Sequence, residues 1–227
     1  FLASRGIKIL VVACNTASAL ALPKIRERIG IEVVGVIGPG ARKAVEAAGG
    51  GENSRIAVIA TEATVASNAY ADSIRECSES AEIFQKPCPL FVPLAEEGWT
   101  LEDETYSIAG KYLGDVKNFD PDALVLGCTH YPILKRVIQE TVGTEVTLID
   151  SGEATADEVA ELLEKKGLAN DERIAYNRER RLCDDLDHFY VTDAADRFAH
   201  VAERFLGSKP AKLEAIEVFG ADKLNEN

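Results

Sequence analysis

Twice in this chain a short apolar run stops at a cysteine and hands over to small polar residues. Ile9-Leu-Val-Val-Ala13 is followed by Cys14, Asn15 and Thr16; Ala123-Leu-Val-Leu-Gly127 is followed by Cys128, Thr129 and His130. Short continuous apolar runs mark strands buried on both faces, which occur almost only in parallel sheets covered by helices. Helix-forming residues follow each cysteine. A junction of this kind puts its side chains at the carboxyl end of a strand, where open α/β sheets bind ligands. The repeat predicts a duplicated α/β half with one cysteine in each.

The rest of the chain keeps the same alternation, which argues for βαβ units and a mostly parallel sheet. Further strands are expected at residues 33–37, 55–60, 81–85, 146–149 and 189–192. Helices are expected at 17–29 (Pro23 in the first turns), 41–48, 65–77, 102–113, 133–142, 151–166 with Ser151 as cap, and 194–206. Gly38-Pro39-Gly40 reads as a turn, residues 87–93 as an extended segment because proline disfavours helix in the residue before it, and 94–99 as a loop. Residues 1–8 read as the end of a helix stopped by Gly6. The stretch 171–187 is charged and irregular, and the tail 208–227 is polar and loosely docked.

With 227 residues, 46% of them hydrophobic, the chain can bury one large α/β core or two smaller ones. A net charge of −13 disfavours a nucleic-acid backbone or an anionic membrane as partner. No apolar stretch approaches the ~20 residues of a membrane span. Arg5 and Lys8 interrupt the first apolar run, so no signal peptide is expected. The five cysteines (Cys14, Cys77, Cys88, Cys128 and Cys183) form no Cys-x-x-Cys motif, which gives no support to a zinc site or redox dithiol and points to a reducing, cytoplasmic setting. A start at Phe1 and the lack of any Met predict that the original N-terminus is not included.

A cysteine at the start of a helix feels the positive end of the helix dipole, which favours thiolate. One such residue suggests a nucleophile; two in like settings suggest a reaction with two equivalent faces. Racemisation at a carbon is that reaction: one thiolate removes a proton from one face while a thiol returns one to the other, and the roles exchange in reverse. Asn15, Thr16, Thr129 and His130 stand where amides, hydroxyls and backbone N–H groups could bind a carboxylate. No dinucleotide or phosphate-loop motif is present, so no cofactor is required. Against this, a cysteine ending a buried strand is often only a small core residue, His130 a structural histidine, and Glu96 and Glu97 solvated charges. Cys77 and Cys183 read as structural or incidental and Cys88 as packing.

The chain resembles the glutamate racemase family of the cofactor-independent aspartate/glutamate racemase superfamily. The resemblance rests on Ala13-Cys-Asn-Thr-Ala17, Gly35-Val-Ile-Gly-Pro-Gly40, Thr61-x-x-Thr64-Val65, Cys88-Pro-Leu-Phe-Val-Pro-Leu94 with Glu96, Leu126-Gly-Cys-Thr-His-Tyr-Pro132, Asp150-Ser-Gly152 and Phe189-Tyr-Val-Thr-Asp193, in family order. It implies that Cys14 and Cys128 are the catalytic acid/bases, assisted by His130 and Glu96. Asn15, Thr16, Thr64, Thr129 and His130 would bind substrate or tune the thiols. It also implies two pseudo-symmetric α/β domains of parallel sheet facing across a cleft: residues 1–36 plus 148–227, lacking the family's N-terminal segment, and residues 37–147. The expected partner is a small-molecule substrate, glutamate, with no nucleic acid, membrane, metal or cofactor, and a homodimer as candidate assembly. The product would be D-glutamate for peptidoglycan. Alternatives are a racemase of another acidic amino acid such as aspartate, an inactive relative acting only as a binding protein, and a thiol redox protein.

Overall fold

A computed structural model describes residues 1–50, 54–170 and 187–218. The described chain divides into two compact bodies: Leu2–Ala169, and Phe1 with the described part of Asn170–Asn227.

The larger body is α/β with parallel sheets. After a single 3-10 turn at Ala3–Arg5, closed by Gly6 at φ 70°, come β1 (Ile9–Val12), α1 (Asn15–Arg28), β2 (Glu32–Gly35) and α2 (Ile37–Ala47). β1 and β2 pair in parallel, Val11 opposite Val34. Then come β3 (Arg55–Ala60), α3 (Glu62–Ala66), α4 (Ala69–Cys77), β4 (Glu82–Pro87), α5 (Phe91–Glu97), α6 (Asp103–Phe119), β5 (Ala123–Gly127), a 3-10 turn (Tyr131–Leu134), α7 (Lys135–Val142), β6 (Thr147–Asp150) and α8 (Ser151–Lys165). The second sheet has the order β4-β3-β5-β6, all parallel. Its two central strands are Ile, Leu, Val and Ala almost throughout because helices cover both faces; Ile56 to Ala60 and Ala123 to Leu126 are all fully buried. Burying each larger aliphatic side chain there contributes about 1.5–3 kcal/mol. α2, α4 and α8 pack over this sheet, with Ala41, Ala44, Tyr70 and Ile74 in the shared core.

Four local expectations are corrected. Gly38-Pro39-Gly40 is not a turn but lies in the first turn of α2, and residues 91–97 are not extended or loop but α5, with Pro93 in its first turn. First-turn N–H groups have no acceptor within the helix, so a proline there removes no hydrogen bond. Pro23 is not in the first turns but is the ninth residue of α1. The helix expected at 65–77 is two, separated by Asn68 at φ 56°, whose side-chain oxygen accepts from Gln85.

The smaller body holds β7 (Phe189–Val191), α9 (Ala195–Leu206) and β8 (Leu213–Ala215), with β7 and β8 parallel. Phe1 sets its ring edge-on to Tyr190 at 5.0 Å. The strand β8 lies in the tail expected to be polar and loosely docked. Most of the stretch 171–187, with Cys183, lies outside the described residues. No described helix is long and apolar enough to cross a membrane.

Candidate active site

All four strands of the larger sheet run the same way, so Thr61, Cys128 and Asp150 emerge at one end of it. Cys14 leaves the carboxyl end of β1.

Cys14 is the N-cap of α1, exposed, and its sulfur accepts from the Ala17 N–H at 3.5 Å. The junction is pinned by Ser18, whose hydroxyl donates to the Val12 carbonyl at 2.7 Å and accepts from the Val36 N–H at 3.3 Å. Cys128 differs from the expected echo. The 3-10 turn comes next along the chain and only then α7, so no α-helix begins at this thiol. It is buried, and burial pushes it up rather than down; the His130 backbone N–H and the Thr129 hydroxyl oppose that push, and the charge of Cys14 adds to it.

Beside Cys128, His130 Nδ1 stands 3.7 Å from its sulfur and 3.4 Å from the Thr129 hydroxyl, and His130 Nε2 stands 3.2 Å from Glu96 Oε1. Local packing explains why Glu96 arrives there. Tyr131 donates to the Cys88 carbonyl at 2.9 Å, and its ring meets Phe91 edge-on at 5.4 Å. These contacts dock α5 on the segment after Cys128, and Glu96 lies near the end of α5. With Nε2–H donating to Glu96, Nδ1 is left as an acceptor toward the Cys128 thiol.

Thr16, Thr61 and Thr64 form a triangle of hydroxyls at 2.9, 2.9 and 3.0 Å. Thr61 is also the N-cap of α3. Asn15 is 2% exposed. Its amide N–H groups donate to the Tyr70 hydroxyl at 2.8 Å and Ser151 Oγ at 3.0 Å, and Ser151 donates to the Leu126 carbonyl at 3.2 Å. The Asn15 side-chain oxygen is buried without a hydrogen-bond partner. A cavity of about 300 Å³ opens between the end of β1 and α8, lined by Val11, Val36, Cys128, Thr129, Asp150 and Ser151 among others.

The structure thus brings Cys128, Thr129, His130 and Glu96 into one cluster, gathers Thr16 and Thr64 in the hydroxyl triangle, and turns Asn15 inward. Sequence reasoning assigned no role to Tyr70, and it took Ser151 for the cap of α8. The cap is Asp150, whose carboxylate accepts from the Gly152 and Glu153 N–H groups, and this frees Ser151 for Asn15. The strand-ending Asp before Ser-Gly was the available signal, since Asp caps as well as Ser. Cys88 is fully buried and pushed up to about 12 by burial, and Cys77 is exposed at the end of α4.

The sequence profile of the Asp/Glu/hydantoin racemase family matches residues 2–159. A glutamate racemase of Geobacter metallireducens is 47% identical over 209 residues, covering 92% of this chain and 73% of that protein. One from Lactiplantibacillus plantarum is 41% identical over 218 residues, covering 96% of this chain and 76% of that protein. Among solved structures, glutamate racemase from Francisella tularensis in complex with D-glutamate superposes with a TM-score of 0.81 at 34% identity, covering 96% of this chain and 76% of that one. With paired cysteines at parallel strand ends and a profile match over most of its length, this chain belongs to the Asp/Glu/hydantoin racemase family.

Proposed function

We propose that this chain is a glutamate racemase in which Cys14 and Cys128 are the two acid/bases. The observation that carries the mechanism is the pair of thiols at the carboxyl ends of parallel strands, Cys14 capping α1 after β1 and Cys128 beside His130 after β5. One thiolate takes the α-hydrogen of glutamate as a proton; the electron pair stays on the α-carbon, and the opposing thiol delivers its own proton to the other face. The free enzyme then holds the opposite protonation pattern, ready for the reverse reaction. Burial keeps Cys128 protonated at rest. His130, oriented by Glu96, is the group placed to draw that proton off. Thr16, Thr64 and Thr129 present hydroxyls for the substrate's carboxylate and ammonium groups; the Asn15 N–H groups are spent on Tyr70 and Ser151, which leaves its side-chain oxygen as an acceptor.

The same reading makes the product D-glutamate for peptidoglycan, a cytoplasmic protein, a homodimer, and a division into residues 1–36 plus 148–227 and residues 37–147. The separate β1–β2 sheet supports the break near residue 36, whereas β6 pairs with β5 and so joins Thr147–Asp150 to the second sheet.

The test is cofactor-free exchange of the glutamate α-hydrogen in deuterated water, followed with circular dichroism of the interconversion. Loss of racemisation by at least ~10³-fold is expected in both Cys14→Ser and Cys128→Ser. Full activity in either variant sinks the mechanism. Aspartate turning over faster than glutamate would move the substrate assignment. Glutamate binding without exchange would make the chain a binding protein.

A further inference from the structure

One buried side chain, Tyr70, touches the chain neighbour of each cysteine. The Tyr70 hydroxyl accepts from Asn15, the residue after Cys14. The ring edge beside that hydroxyl lies against Gly127, the residue before Cys128: a Cβ added to Gly127 would fall 3.0 Å from Tyr70 Cε2 and 2.8 Å from the Ile59 carbonyl oxygen. Gly40 closes the opposite side, where a Cβ would fall 3.4 Å from the ring and its hydroxyl and 3.2 Å from Ser151 Cβ. Tyr70 is fully buried and packed between these two glycines.

A second path runs parallel to the first. Asn15 donates to Ser151, and Ser151 donates to the carbonyl of Leu126, two residues before Cys128. Because Leu126 offers only an acceptor, the Ser151 hydrogen is committed to it and Ser151 Oγ must accept from Asn15. This fixes the amide with its NH2 group toward Tyr70 and Ser151, independently of how the two amide ends are assigned. Asn15, Tyr70 and Ser151 are 2%, 0% and 4% exposed, so water cannot take the place of a lost partner without the structure opening.

We propose that Tyr70, with Ser151, is a positioning element that sets the separation of the Cys14 and Cys128 thiols. The proposal rests on the two-thiol mechanism above. A racemase of that kind needs both sulfurs in line with one α-carbon, and an error of ~1 Å in such placement can cost about 10²-fold in rate. Removing the Tyr70 hydroxyl leaves a buried Asn15 donor without its acceptor. The amide then gains by turning toward solvent, and the start of α1 moves with it, taking Cys14 away from Cys128.

The test uses Tyr70→Phe in the full chain, with Ser151→Ala as second variant. Two quantities are read. First, kcat for racemisation should fall about 10- to 100-fold while KM changes by less than about threefold. Second, the coupling between the thiols should weaken. Peptide-resolved alkylation of Cys128 with iodoacetamide across pH gives its midpoint, which in the parent chain falls when Cys14→Ser removes the neighbouring charge. In the Tyr70→Phe background that fall should shrink by about 10–20%, because the coupling varies inversely with distance and the displacement is ~1 Å over several ångströms. A merely structural role would lower the melting temperature without touching this difference. If Tyr70→Phe does not fold, Ser151→Ala reads the same two quantities. Parent-like kcat overturns the proposal, and so does a reduced kcat with the thiol coupling intact. If Cys14→Ser or Cys128→Ser stays fully active, the two-thiol mechanism itself fails; if both are inactive and Tyr70→Phe is parent-like, only the spacer fails.

Discussion

At the scale of single residues the two thiols are unlike. Cys14 is exposed and caps a helix, whereas Cys128 is buried, held protonated by that burial, and faces an imidazole. In the proposed mechanism, drawing the proton from Cys128 depends on the His130 tautomer, and Glu96 Oε1, 3.2 Å from Nε2, favours the one with Nδ1 unprotonated. Glu96→Gln offers an NH2 group as readily as an oxygen and removes that selection. Racemisation is expected to slow by about 10-fold or more, measured by circular dichroism from either enantiomer. Because the enantiomers of glutamate have equal free energy, kcat/KM must fall equally in both directions, while kcat and KM taken separately need not. An unchanged rate would take Glu96 out of the site. Cys14, Cys128 and His130 were legible in the sequence because strand, cysteine and small polar residue occur together along the chain. Tyr70 was not: an aromatic residue within a helical pattern is ordinary core, and its position matters only through Asn15 and Gly127, which lie far from it in sequence.

At the scale of elements, the strands were read well because continuous apolar runs such as Arg55–Ala60 and Ala123–Gly127 have few other homes. The helix starts were read less well, and for one reason. Proline and glycine in a first turn look like a turn motif from the sequence, yet α2 carries both in its first turn and α5 carries Pro93 there. The cap of α8 follows the same lesson. Asp150 accepts two first-turn N–H groups, at 2.8 and 3.4 Å, and its carboxylate suits the positive end of the helix. Asp150→Ala is expected to destabilise the protein by about 0.5–2 kcal/mol in urea unfolding. An effect within a few tenths would show that the cap contributes little there. Because Ser151 is the next residue, fraying of this turn also loosens the Asn15 contact, so kcat is expected to fall in the same variant.

At the scale of the molecule, buried acids limit tolerance of alkali. Burial raises Cys88 from 9.0 to about 12 and Tyr70 from 10.0 to about 12. In both, the folded state holds its proton more tightly than the unfolded chain does. Between roughly pH 9 and 12 the unfolded chain therefore binds fewer protons, and stability falls as pH rises, by up to about 1.4 kcal/mol per pH unit for each group titrating. Urea midpoints should be flat from neutrality to about pH 9 and decline above it, with the decline shallower in Cys88→Ala. A midpoint indifferent to pH up to about 11 would contradict this. The Asn15 contacts carry a consequence of another kind. They join positions 55 and 136 residues apart along the chain, in a body whose sheet pairs β3 with β5 rather than with its immediate successor alone. Closing loops of that length is slow and comes after local structure has formed. During refolding, secondary structure and much of the sheet can thus be present while the thiols still lack their spacing, and catalytic competence is the last property the chain acquires.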